Sequence, residues 1–219
     1  MSKIVNVSHM RGQGSAVFNG KTITLNWPNN QWHEPMGPVV GGCLHWTADH
    51  WLAGYDDYPA NVMYDQESGE AFIVLMLDPG QKGSHLWGRN TGIHGITLCA
   101  AVGADPGGNY GPNPPMQAQI ALAAQYLAEL AVVHGLDPRS HMQVDHKRAN
   151  ADATVLSNTG GTIEVPRFWD HQGYAHVDNY AAWRWDCQGI TPHVLGYMLG
   201  YYDEIMAGRR ALEFEAYLR

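Results

Sequence analysis

The sequence is poor in charge and poorest in cations. Of its 219 residues only 16% are Asp, Glu, Lys or Arg, and 13 Lys and Arg against 21 Asp and Glu give a formal net charge of -8. A chain of that sign lacks the general basic surface that displaces counterions from phosphates, which argues against a nucleic-acid binder unless a local basic cleft exists. Cysteine is scarce too. Cys43, Cys99 and Cys187 are an odd, irregularly spaced set, so no disulfide framework is expected and a reducing compartment is. Without a CxxC pair, zinc ribbons and thioredoxin-like dithiol chemistry are excluded. Long apolar runs are missing as well. The longest, "AFIVLML", is far too short to span a bilayer. The opening "MSKIVNVSHMRGQG" has no charged stretch followed by an apolar one, so no secretory leader is expected. Neither nucleic acid nor membrane is an expected partner.

What is present is a folded core. Hydrophobic residues make up 45% of the chain, enough at this length for one well-buried domain. The 12 histidines favour metal or acid–base chemistry. The 8 tryptophans fit either an aromatic core, the plainer reading, or a surface that stacks sugars or peptides. "KTITLNW" alternates as a strand does, and "VVGGCLHWTA", "GEAFIVLMLD" and "HGITLCAAVGA" read as buried strands. The first of these three carries His45 near its end. A helix follows the loop "DPGGNYGPNPP", because Met116, Ile120, Ala123, Ala124, Leu127, Leu130 and Ala131 recur on one face. Gly135 is its expected cap, with Pro138 beyond it. The expected fold is α/β: a single domain with a central, mostly buried mixed β-sheet flanked by helices. Residues 1–36 supply N-terminal strands and a loop, 37–190 the main domain with a loop-rich insert around 154–183, and 191–219 a C-terminal helical segment.

No local metal motif exists. His45 and His50 are five apart, as are His171 and His176, and neither pair has the i, i+4 spacing that puts two histidines on one helix face. A metal site must therefore be assembled from distant parts of the chain. His146, in "VDHKRANADA", is either a metal ligand, an acid–base group or a surface-loop residue. His45 is either a ligand or a satisfied core histidine, and Asp186 either a ligand or the cap of the segment that follows it.

Five stretches occur in an order that resembles the zinc-dependent N-acetylmuramoyl-L-alanine amidases, the family that includes phage amidase endolysins and peptidoglycan recognition proteins. They are "GGCLHWTA", "SHLWGRNTGIHGITLCAAVGA", "PPMQAQIALAAQYLAELAVVHGLDP", "VDHKRANADA" and "GYAHVDNYAAWRWDC". The resemblance covers roughly residues 37–188. It implies that His45, His146 and Asp186 bind a zinc ion, with Cys187 the alternative third ligand. Three such donors leave a position open for water, and the ion supplies an activated water and polarises the amide carbonyl. Arg184, two residues before Asp186, would stabilise the tetrahedral oxyanion. Asn90 and Arg89 would line the groove that holds the stem peptide.

The sequence also departs from the family. Thr97 stands where the central strand usually carries a glutamate base, and is left as a substrate contact. Ala60 and Asn61 occupy the place of the alternative tyrosine, with Tyr64 displaced. Tyr64, His85 and Asp152 are the candidate acid–base groups. Lys147 and Arg148 follow His146 where relatives carry an acid. The expected activity is zinc-dependent cleavage of the bond between N-acetylmuramic acid and L-alanine in bacterial peptidoglycan. The expected agent is a monomeric phage or prophage endolysin, held in the host cytoplasm before lysis and then acting on the cell wall. The alternatives are a non-catalytic peptidoglycan-binding module and a zinc peptidase acting within the stem peptide.

Overall fold

Strand β4 (Gly41–Trp46) is buried along its whole length, as befits a strand covered on both faces. It lies in a six-stranded sheet with β1 (Ile4–Asn6), β6 (Ala60–Asp65), β7 (Glu70–Leu75), β8 (Ile93–Leu98) and β11 (Phe168–Asp170), in the order β1-β7-β6-β8-β4-β11. All neighbours run parallel except β6 and β7, which are antiparallel. That antiparallel pair is joined by the tight turn at Gly69, whose φ of 74° suits glycine. A small sheet of β2 (Ser15–Phe18), β3 (Lys21–Asn26) and β5 (Ala53–Tyr55) and a hairpin of β9 (His141–Asp145) with β10 (Thr162–Pro166) complete the strands described. The computed structural model describes residues 3–28, 34–78, 80–86, 90–105, 107–145, 162–171, 186–187 and 189–219.

Two helices cover one face. Helix α1 (Gln117–Val133) packs on β6, β7 and β8, and α2 (Thr191–Met206) packs on α1 and β11. Leu44, Trp46, Val62, Ile73, Ile96 and Leu98 meet Ala124, Leu127 and Ala131 of α1 in the main core. The other face is filled by Met63, Phe72 and Val74 against Ile23 and Leu25 of the small sheet. The arrangement is the mixed α/β architecture expected from the sequence.

α1 starts and ends on specific bonds. Gln119 Oε1 accepts from the Met116 N–H at 3.0 Å, while its amide donates to the Val62 and Cys99 carbonyls at 2.8 and 3.0 Å. At the other end Gly135 has φ 64° and its N–H reaches Val132 O, while Leu136 N–H reaches Ala131 O. This is the left-handed glycine cap that the sequence indicates. Within the 154–183 stretch, β10 and β11 are strands that the sequence left as loop. β11 is three residues long, too short for an alternation to be read. Among the described residues no helix is long and apolar enough to cross a membrane.

Candidate metal centre

Side chains alternate along a strand. With Leu44 and Trp46 committed to the helical core, Cys43 and His45 point to the opposite face. His45 is fully buried there. Its register partner on β8 is Thr97, and Thr97 in turn pairs with Asn61 on β6, so the three form a row across the sheet. Asn61 is also fully buried and its amide is spent on the neighbouring loop. Its Oδ1 accepts from the Tyr55 N–H at 2.9 Å, and its Nδ2 donates to the Tyr55 and Tyr58 carbonyls at 3.1 and 3.0 Å. That loop lays the Tyr58 ring against His45, centroid to centroid 4.9 Å.

β11 runs beside β4 with Asp170 opposite Leu44, so the next residue, His171, emerges beside His45. The ring centroids are 4.9 Å apart. The buried carboxylate of Asp170 accepts from Thr191 Oγ1 at 2.6 Å, tying the end of β11 to the start of α2, where an anion is favoured. Just before α2 the chain makes a tight turn in which Cys187 adopts φ 62° and its carbonyl accepts from the Ile190 and Thr191 N–H groups at 2.8 and 3.2 Å. A non-glycine residue in that region is uncommon, and here it directs Asp186 to the histidines. Asp186 Oδ2 lies 3.1 Å from His171 Nδ1 and 3.6 Å from His45 Nδ1.

The protons on these rings follow from their partners. His85 Nε2 sits 3.1 Å from the Ile93 carbonyl and His85 Nδ1 sits 3.0 Å from His45 Nε2. A carbonyl only accepts, so His85 carries its proton on Nε2. Burial, reinforced by the neighbouring His45, pushes the His85 pKa well below its ordinary value, so the ring is neutral and its Nδ1 is bare. His45 therefore donates from Nε2 and, when neutral, turns the lone pair of Nδ1 toward Asp186. This is the orienting hydrogen bond that metal-bound histidines usually make with a group behind them. Gly95 allows it, since a Cβ at that position would stand 2.7 Å from the His85 ring. Burial works to raise the Asp186 pKa. The hydrogen bond from His171, and that from His45 once its ring is protonated, outweigh it with their charges and hold the carboxyl below its ordinary range.

Two groups of donors result, sharing His45. His45, His171 and Asp186 have ligand atoms within 4.8 Å of one another, as do Cys43, His45 and His85. The first offers two nitrogens and a carboxylate oxygen, an ordinary set for zinc with one position left open. Its His171 and Asp186 side chains keep 15% and 19% of their surface exposed. The second group is wholly buried. Burial, with the Asp170 and Asp186 charges, pushes the Cys43 thiol pKa well up, and its S–H faces the Leu44 carbonyl at 3.8 Å.

The expected site residues fall in different places. His45, Asp186, His85 and Thr97 are brought together. Thr97 is fully buried and its Oγ1 has no hydrogen-bond partner among the described residues. Tyr64 lies an odd number of positions from Asn61 and so faces the helical side, edge-on to Trp51 with centroids 5.4 Å apart. Asn90 closes its own loop, its Oδ1 accepting from the Leu86 N–H at 2.6 Å. Neither donor group includes Cys187. His146, Arg184, Arg89 and Asp152 lie outside the described residues. Sequence reasoning missed His171 and Tyr58. The only signal for His171 was a histidine that closes a short segment with two aromatics, "RFWDH".

The mixed α/β fold, a six-stranded sheet with two helices, matches the amidase-like fold of a solved structure. It is similar to the crystal structure of the Staphylococcus aureus hydrolase AmiA in complex with its ligand, with a TM-score of 0.51 over 87% of each chain at 14% identity. No family model matches the sequence, and no curated protein matches it either.

Proposed function

We propose that this protein is a zinc-dependent amidase that hydrolyses the bond between N-acetylmuramic acid and L-alanine of bacterial peptidoglycan, with His45, His171 and Asp186 as its metal ligands. The observation that carries the reading is the convergence of two imidazole nitrogens and a carboxylate within 4.8 Å, one of the imidazoles backed by a hydrogen-bonded histidine. Zinc bound there supplies a water acidic enough to act at neutral pH and a Lewis acid for the carbonyl. His85 holds the His45 ring and its tautomer, and the open side of the cluster admits the substrate. Arg184, two positions before Asp186 in the sequence, is our proposed donor to the oxyanion, and Arg89 our proposed contact to the stem peptide. The sequence resemblance to endolysins supports a phage or prophage enzyme that meets the cell wall after release from the host cytoplasm.

Metal analysis tests the ligand set. Wild type and His146→Ala are expected to hold one zinc ion per chain, and His171→Ala and Asp186→Ala to lose it. A His171→Ala protein with full zinc, or a His146→Ala protein without it, overturns the assignment. For the reaction, purified cell walls should gain L-alanine amino termini, with the gain abolished by a chelator and restored by zinc. One observation favours a second reading, a binding module without activity: in the sheet row that runs through His45, β8 carries Thr97 and β6 carries Asn61 where a carboxylate base would stand. A zinc-loaded protein that sediments with walls and releases no amine would establish that reading. Mass spectrometry of the products separates the amidase from a stem-peptide peptidase, which would leave the new amine elsewhere.

A further inference from the structure

Amide hydrolysis needs a hydrogen-bond donor aimed at the oxygen where negative charge develops. The strands beside His45 supply no strong one. Asn61 has given both amide groups to the Tyr55 and Tyr58 backbone. Thr97 sits fully buried in the row next to His45, a hydroxyl at the base of the site. His85 has one proton, and the Ile93 carbonyl takes it. The Cys43 thiol lies fully buried and faces a backbone carbonyl. Of the polar groups around His45 among the described residues, this leaves two hydroxyls, those of Thr97 and Tyr58, and the phenol is the more acidic and so the stronger donor.

Its placement is built. The Tyr58 ring tilts 46° onto His45 at 4.9 Å and lies 6.5 Å from His85, on the same side of the sheet as the donor cluster. Asn61 fixes the loop that carries it by three hydrogen bonds from a fully buried side chain. A buried asparagine wholly devoted to aiming one short loop is an expensive device unless that loop has a task. A phenol is a hydrogen-bond donor in its ordinary state at neutral pH.

We propose that Tyr58 is a catalytic hydrogen-bond donor of this site, its O–H directed at the scissile carbonyl oxygen and strengthening as the tetrahedral oxyanion forms. It keeps its proton throughout, so no proton has to be returned to it. The role that the resemblance would give to a strand residue is thereby taken over by a loop residue, with Asn61, at the corresponding strand position, reduced to holding the loop. This inference rests on the amidase reading.

Tyr58→Phe tests it, because the ring and its packing are kept and only the hydroxyl is lost. Zinc content and thermal stability should stay at the wild-type level. On cell-wall fragments kcat should fall by about 10²–10³ with KM changed little, the range for removal of one oxyanion donor. A phosphinate analogue of the tetrahedral intermediate, titrated into the zinc-loaded protein, should lose affinity by a similar factor, while the muramyl product binds as before. Wild-type kcat in Tyr58→Phe, or unchanged phosphinate affinity, overturns the role of Tyr58 and leaves the amidase reading intact. A zinc-loaded wild type that releases no amine overturns that reading and this inference with it.

Discussion

Replacing Gly95 with alanine sets two effects against each other, and the structure says which wins. Gly95 lies in β8 at a φ that any residue adopts, so by backbone propensity alone alanine should stabilise by about 0.5–1 kcal/mol. The new Cβ, however, would stand 2.7, 2.8 and 2.9 Å from Cδ2, Cγ and Nε2 of His85. Ordinary carbon contacts begin near about 3.5 Å, so the ring must retreat by roughly 0.8 Å. It is held at both ends, 3.0 Å from His45 and 3.1 Å from the Ile93 carbonyl, and such a shift takes both bonds past their useful length of about 3.2 Å. Overpacking costs about 1–3 kcal/mol, and each buried bond lost costs about 1–3 kcal/mol more. The net expectation, after the alanine gain, is a loss of about 2–8 kcal/mol in urea unfolding of the metal-free protein. Zinc affinity, measured by competition with a chromophoric chelator, should fall about 10–100-fold, as for other removals of a ligand's orienting partner. His85→Ala makes room for the methyl, so in that background Gly95→Ala should become neutral or stabilising. A Gly95→Ala protein with wild-type stability and zinc affinity, or one equally damaged in both backgrounds, would refute the relay through His85.

Other positions give expectations of the same kind. His94 Nε2 lies 3.1 Å from the Tyr126 hydroxyl, and burial, aided by the His134 charge, pushes its pKa down to about 3. The unfolded chain therefore takes up that proton first, at about pH 6.5. Stability should be complete above that pH and fall toward pH 3 by at most about 1.4 kcal/mol per unit, less because the residue keeps some solvent contact. His94→Gln should flatten this slope in urea titrations across that window, and an unchanged slope would exclude His94 as its source. Glu129 is fully buried and accepts from the Glu213 and Phe214 N–H groups at 2.7 and 2.6 Å and from Gln125 at 3.0 Å. Glu129→Ala should cost about 3–5 kcal/mol by leaving those donors unpaired, and a loss below about 1 kcal/mol would mean that the C-terminal segment repacks. Asn61→Ala should cost about 2–4 kcal/mol and lower kcat as Tyr58→Phe does, since it frees the same loop. Full kcat in a folded Asn61→Ala protein would show that the loop needs no such anchor.

How much of this was legible in the sequence depends on where each residue finds its partners. β4, β7, β8 and α1 satisfy their backbone within regular patterns several residues long, and the cap at Gly135 is local, so the α/β class and the place of His45 could be read directly. The polar side of α1 could not. Gln119, Gln125 and Glu129 look solvent-facing along the helix, yet all three are buried, because the Val62 and Cys99 carbonyls and the 213–214 backbone come from far along the chain to meet them. Tyr64 was misleading for a related reason: its strand was right, and one step of alternation put its ring on the helical side.

The candidate centre shows the same division more sharply. In sheets with parallel strands, ligands gather outside the carboxyl ends of the strands, and His45 near the end of β4 already points there. Its nitrogen partner comes from whichever strand lies alongside, and that is fixed by pairing, not by spacing. β11 contributes only the register of Asp170 against Leu44, three residues with no periodicity, and from this His171 follows as the next residue. The sequence resemblance directed attention to His146 because it is the histidine that follows the long helix. The hairpin of β9 and β10 is followed by β11, and among the described residues the histidine that this brings beside His45 is His171. The order of the motifs thus pointed to a second histidine beyond the long helix, while the strand register brings His171 beside His45 among the described residues, outside which His146 lies.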